Sequence, residues 1–159
     1  MLNQVGTEKK AEQAIVNYAD MIYRIAFQNL KNRADAEDIF QDVCLAIITK
    51  NPPFEEESHL KHWIIRTTIN KCKNFHKSPW QSRMESIDDH LDLFAPEKRD
   101  VMVEIWQLPK NYRNAIYLYY YESYTIAEIA QIMEKNPNTV SSWLTRAKKK
   151  LRNILTESE

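Results

Sequence analysis

The chain has 159 residues, room for one ordinary domain or two very small ones. Its single glycine, Gly6, excludes a glycine-rich phosphate loop and a dinucleotide fingerprint. Lysine plus arginine and aspartate plus glutamate number 22 each, so the charge is zero, but only on average. No acid falls between Glu57 and Glu85, where Lys61, Arg66, Lys71, Lys73, Lys77 and Arg83 lie. None falls between Glu134 and Glu157, where Lys135, Arg146, Lys148, Lys149, Lys150 and Arg152 lie. Two basic islands on a neutral chain point to two separate contacts with a polyanion.

Neither period-two alternation nor an Asn-Gly turn occurs, so an all-α chain is predicted. No stretch resembles a signal peptide or a membrane span, which predicts a cytoplasmic protein without membrane insertion. The first helix is expected from about Glu8 to Leu30, with Ile15, Tyr18, Ile22 and Ile25 on one face. A second opens at Asp35 as N-cap, carries Ala36, Ile39, Phe40, Val43 and Ile47 as its apolar stripe, and stops at Asn51-Pro52-Pro53. A third turns Leu60, Ile64, Thr68, Cys72 and Phe75 inward and closes a small core around Trp63. These three helices define a first domain over residues 8–78. Residues 79–96, acidic and without periodicity, read as a flexible linker.

The second domain, 97–155, holds four helical segments. Glu97 to Leu108 is ended by Pro109, and Lys110 to Tyr121 follows. Thr125-Ile-Ala-Glu128 is a capping box that opens a helix bearing Ile126, Ile129, Ala130 and Met133. Pro137 begins the last, which buries Val140, Leu144, Ala147 and Leu151. Tyr117, Tyr119, Tyr120, Tyr121 and Tyr124 are expected to pack this domain.

The pair of helices after Thr125 has the form of a helix-turn-helix, whose second member enters the major groove. Its outward residues, Ser141, Ser142, Thr145, Arg146 and Lys149, can meet base edges and phosphates. His59, His62, Cys72 and His76 are no metal site: His62 and Cys72 stand about 15 Å apart along one helix. No Ser-His-Asp or Cys-His order and no paired carboxylates support catalysis. A DNA-binding protein that is not an enzyme and needs no metal or cofactor is expected.

Ala34-Asp-Ala-Glu-Asp-Ile-Phe-Gln-Asp-Val43 resembles the core-binding segment of sigma factors. Leu60-Lys-His-Trp-Ile-Ile-Arg-Thr-Thr-Ile-Asn70, with Trp63, Arg66 and Asn70, resembles the segment that reads the minus-ten promoter element. Leu108-Pro109 through Leu151 is similar to their C-terminal domain, which reads the minus-thirty-five element. This order resembles the extracytoplasmic-function (ECF) group of the sigma-70 family, bacterial transcription-initiation factors that keep just these two domains. The resemblance implies that Asp35, Asp38, Gln41 and Asp42 dock on core RNA polymerase. It places Phe54, Arg66, Asn70 and Lys73 at the minus-ten element, with Phe54 and Asn70 holding a flipped-out base. It places Ser141, Ser142, Thr145, Arg146 and Lys149 at the minus-thirty-five element. Partners would be core RNA polymerase, promoter DNA as duplex and melted strand, and an anti-sigma factor. Ala46, where relatives often carry lysine, Ser141 and Trp143, where arginines are common, and Asn138, usually glycine, depart from the pattern. Two alternatives stand beside it: a helix-turn-helix regulator that does not enter the polymerase, and a decoy that binds polymerase only.

Overall fold

The computed structural model describes residues 2–50, 54–75 and 83–157. The Asn51-Pro52-Pro53 stop, His76, Lys77 and linker residues 79–82 lie outside them. The expectation of an all-α chain is borne out, and no strand is present among the described residues. The chain forms two compact units, Met1–Glu85 and Ser86–Glu159.

The first unit is built from α1 (Leu2–Leu30), α2 (Arg33–Lys50) and α3 (Glu57–Lys73). Its core is mainly aliphatic: Ile22 and Ile25 of α1, Ile39, Val43 and Ile47 of α2, and Ile64, Ile65 and Ile69 of α3 are all buried, with Phe27 of α1 among them. Each such side chain contributes about 1.5–3 kcal/mol on burial. Truncating Ile64 to alanine would cost about 2–5 kcal/mol. Tyr23 and Phe40 stack at 4.3 Å between centroids and seal the α1–α2 seam.

Two expectations in this unit are corrected. Trp63 is only half-buried. Because Ile65 and Ile69 are buried alongside Ile64, Thr68 and Cys72, the inward arc of α3 is rotated away from Trp63. Asp35 is not the N-cap of α2. Helix α2 starts at Arg33, and the Asn32 side-chain oxygen accepts from the Asp35 N–H at 2.9 Å, making Asn32 the cap. Asp35 falls in the first turn and is buried, where its acid complements the positive helix end. A second group serves the same terminus from far along the chain. The Glu85 carboxylate accepts from the Arg33 N–H at 2.8 Å. The Glu85 N–H donates to the Lys31 carbonyl at 2.7 Å, and the Asn32 amide donates to the Arg83 carbonyl at 3.0 Å.

The second unit begins inside the predicted linker. Residues Ile87–Leu93 form a 3₁₀ helix capped by Ser86, and Ile87, His90 and Phe94 are buried. Asp88, Asp89 and Asp92 make the stretch look structureless by composition, but the apolar residues between them recur at helical spacing. A 3₁₀ turn, Pro96–Lys98, leads into α4 (Arg99–Ile105), α5 (Lys110–Ile116), α6 (Ile126–Met133) and α7 (Pro137–Glu157). Helix α5 continues as a π turn over Tyr117–Tyr121. There Tyr117 is buried and stacks on Tyr121 at 5.0 Å, while Tyr119 and Tyr120 are exposed, so the tyrosines only partly pack the unit. The Ala95 N–H donates to the Tyr121 hydroxyl at 2.8 Å and Lys98 Nζ to the Tyr121 carbonyl at 3.0 Å. These bonds fasten the start of the unit to the π turn. Arg113, which carried no signal in the sequence, is buried on α5, and its Nη1 donates to the Leu108 carbonyl at 2.7 Å. Burial holds its pKa down, to about 10, so it remains a cation at neutral pH.

Candidate nucleic-acid interface

The helix-turn-helix of the second unit is set by local chemistry. Thr125 Oγ1 accepts from the Glu128 N–H at 3.2 Å, and the Glu128 carboxylate accepts from the Thr125 N–H at 3.1 Å, the reciprocal capping box the sequence predicts. Helix α6 ends on Glu134 in the left-handed region, φ 55°, and the Lys135 N–H donates to the Ala130 carbonyl at 2.9 Å. The turn then reaches Asn136, whose side chain accepts from the Asn138 N–H at 2.8 Å and caps α7. Pro137 occupies its first position, where no N–H is missed. Val140, Leu144 and Ala147 are buried against the rest of the unit, and Leu151 is half-buried.

That burial turns Ser141, Ser142, Thr145, Arg146 and Lys149 to solvent. At about 100° per residue all five fit an arc of roughly 140° opposite the buried side. The set offers hydroxyls for base edges and cations for bases or phosphates. The Thr145 hydroxyl donates to the Ser141 carbonyl at 2.9 Å, which leaves it an acceptor toward any ligand. Trp143 is half-buried and flanks this arc. Aromatic rings support three cations of α7: Arg146 Nη1 lies 3.5 Å from the Tyr112 hydroxyl, Lys150 lies over the Tyr112 ring at 5.6 Å, and Lys148 over the Tyr119 ring at 4.9 Å.

In the first unit Arg66 and Lys73 are exposed and Asn70 half-buried. Their spacing of four and three puts them on one face of α3, together with the half-buried Trp63. Phe54 precedes α3 and meets residues near the start of that helix, whereas Asn70 lies in its last turns. Phe54 is half-buried, meets the His59 ring edge-on at 6.2 Å, and lines a cavity of about 90 Å³ with Ala14, Ile47 and Leu60. Glu55, Glu56 and Glu57 rim that cavity, and Tyr18 pins its edge by donating to Glu57 at 2.6 Å. Ala46 is buried, so position 46 offers nothing to a ligand here.

Helix α2 presents a different face. Asp38, Gln41 and Asp42 are exposed as expected, whereas Asp35 is withdrawn by burial. Sequence reasoning missed Leu45 and Ile48, which are 59% and 55% exposed. The signal was their spacing: positions 38, 41, 45 and 48 recur at three and four, in register with the acids and off the buried stripe.

The fold and these faces define a two-unit, all-helical DNA-binding protein with a helix-turn-helix in its second unit and an acidic, partly apolar face in its first. Residues 14–81 match the Sigma-70 region 2 family and residues 99–151 the Sigma-70, region 4 family. The RNA polymerase sigma factor SigV of Bacillus subtilis is 27% identical over 152 residues, spanning 91% of this chain and 90% of that protein. The ECF RNA polymerase sigma factor SigW of the same organism is 25% identical, spanning 87% of this chain and 84% of the relative. Among solved structures, CnrH in complex with the cytosolic domain of CnrY has a TM-score of 0.71 at 18% identity, covering 98% of this chain and 94% of that one. The sigma factor RpoE of Bartonella quintana, in complex with the anti-sigma factor NepR, has a TM-score of 0.66 at 19% identity, covering 93% and 98%. The chain belongs to the sigma-70 family of RNA polymerase sigma factors, in its ECF group.

Proposed function

We propose that this sigma factor carries core RNA polymerase to promoters through three faces with separate tasks. The outward face of α2, Asp38, Gln41 and Asp42 continued by Leu45 and Ile48, docks on a basic, partly apolar surface of core polymerase. The α3 face, Arg66, Asn70 and Lys73, follows the minus-ten element. Phe54 and Asn70 hold an extruded base, the ring by stacking and the amide by reading its edge. The α7 arc reads the minus-thirty-five element in the major groove. The observation that carries this reading is the pairing of two matched family regions with two oppositely charged helix faces, acidic on α2 and basic on α7.

Opening of DNA is driven by binding energy alone, so neither catalysis nor a cofactor is required of this chain. No described helix is long and apolar enough to cross a membrane. Together with a polymerase partner this supports action in the cytoplasm. The complex of RpoE with the anti-sigma factor NepR, and that of CnrH with the cytosolic domain of CnrY, support a regulatory protein partner of the anti-sigma kind for this chain. Run-off transcription from genomic fragments, with core polymerase and with or without the protein, tests the whole reading. New, discrete transcripts are expected only in its presence. Binding of duplex DNA without any effect on polymerase would return the chain to the simple regulator, and polymerase binding without transcripts to the decoy.

A further inference from the structure

Tyr112 lies outside the helix that meets DNA, yet two of that helix's cations rest on it. It is half-buried on α5, directly after the Leu108-Pro109 turn, so its ring is held by the body of the unit. Arg146 Nη1 is 3.5 Å from its hydroxyl, and Lys150 Nζ is 5.6 Å from its ring centroid. Arg146 and Lys150 are four apart on α7 and so stand one turn above the other on the same side. Lys149, between them in sequence, points elsewhere and has no such aromatic support among the described residues.

We infer that Tyr112 is a positioning residue for promoter reading: its hydroxyl and ring pre-set Arg146 and Lys150 before DNA arrives. The inference rests on the reading of α7 as the minus-thirty-five helix. Its physical basis is the entropy of a long side chain. An unsupported arginine gives up its rotamer freedom on binding, and one already steered by a fixed partner gives up less. The guanidinium has five N–H donors, and Tyr112 takes one, which leaves enough for a two-bond grip on guanine. At 3.5 Å the bond is long, so it steers the group without locking it away from DNA.

Tyr112→Phe removes the hydroxyl and keeps the ring, so the packing of α5 is preserved, which a matched thermal unfolding midpoint checks. The test is a four-way cycle of wild type, Tyr112→Phe, Arg146→Ala and the double variant. Each full-length protein is bound to core polymerase and assayed by competition on a library of single substitutions in the upstream promoter element. Tyr112→Phe is expected to reduce discrimination roughly two- to tenfold at the position that Arg146→Ala also relaxes. In the Arg146→Ala background it should change nothing. Equal effects of Tyr112→Phe in both backgrounds, or none in either, would overturn the positioning role while leaving Arg146 as a reader. If Arg146→Ala itself leaves every preference intact, the reading of α7 fails and this inference goes with it.

Discussion

Helices α2 and α7 are both amphipathic, and both bury one stripe and present the other, but what they present differs in kind. Helix α2 shows carboxylates at Asp38 and Asp42 and then large apolar side chains at Leu45 and Ile48. Helix α7 shows hydroxyls and cations, and Val140, Leu144 and Ala147 are turned inward, with the half-buried Trp143 flanking the exposed arc. Exposed leucine and isoleucine gain by meeting another protein and gain nothing from a phosphate backbone. Hydroxyls and arginine suit base edges, which a protein partner lacks. On the proposed reading the two helices sort the partners: polymerase on the first unit's α2, duplex DNA on the second unit's α7. A salt titration is expected to fall more steeply for the DNA contact, which releases counterions from phosphate, than for the α2 contact, whose Leu45 and Ile48 salt does not screen.

The strongest way to break this contrast is to give α2 the sign of α7. Asp38→Lys combined with Asp42→Lys should cost about 2–4 kcal/mol of affinity for core polymerase by placing like charges together. Helix content by circular dichroism should not change, since both positions are exposed. Unchanged competition for core polymerase would mean that docking uses another face.

Within α7 the contrast sharpens to single residues. Arg146→Ala should relax preference at one or two upstream positions, a loss of about 1–3 kcal/mol of discrimination. Lys149→Ala should weaken all sequences alike and make the salt slope shallower by roughly one unit. Binding across a substitution library at two salt concentrations distinguishes them, and interchanged behaviour would reverse the two assignments. In the first unit, Phe54→Ala and Asn70→Ala should leave polymerase binding intact. Both should lower permanganate reactivity of unpaired thymines, with about 1–3 kcal/mol at stake for a stacked base. Unaltered reactivity in both variants would return Phe54 and Asn70 to purely structural roles.

The smallest effect concerns the loop that carries Phe54. Burial, then the hydrogen bond to Glu57 and that carboxylate's charge, push the Tyr18 hydroxyl up from 10.0 to about 12. The folded state thus holds this proton more tightly than the unfolded chain. Its contribution is fully present below pH 10 and is lost as the pH rises through about 12. Tyr18→Phe should flatten that alkaline limb in a series of thermal melts, and an unaltered limb would assign it to other groups.

Much of the second unit was legible because its signals are local. Thr125 and Glu128 satisfy each other across one turn, and Pro137 needs only its own ring to begin a helix. The first unit's errors are tertiary. Trp63 looks like a core residue by size, and only the burial of Ile65 and Ile69 shows that the inward arc of α3 lies to its other side. Asp35 is a good cap by type, but Asn32 precedes it and takes the role. Among the candidate site residues, the α7 set and Asp38, Gln41 and Asp42 face solvent as periodicity requires. Leu45 and Ile48 were passed over because apolar residues are read as interior by default, although their register already set them apart from Val43 and Ile47.

The bonds from Arg83 and Glu85 to the start of α2 bear on where the first unit can be cut. A fragment ending at Asn74 would keep α1, α2 and α3 whole in sequence. It would nevertheless lose the carboxylate that meets the Arg33 N–H and the backbone partners of Lys31 and Asn32. The end left frayed would be that of the helix proposed to dock. A protease acting between α3 and Arg83 would weaken the same tie at a distance, loosening the start of α2 without touching it.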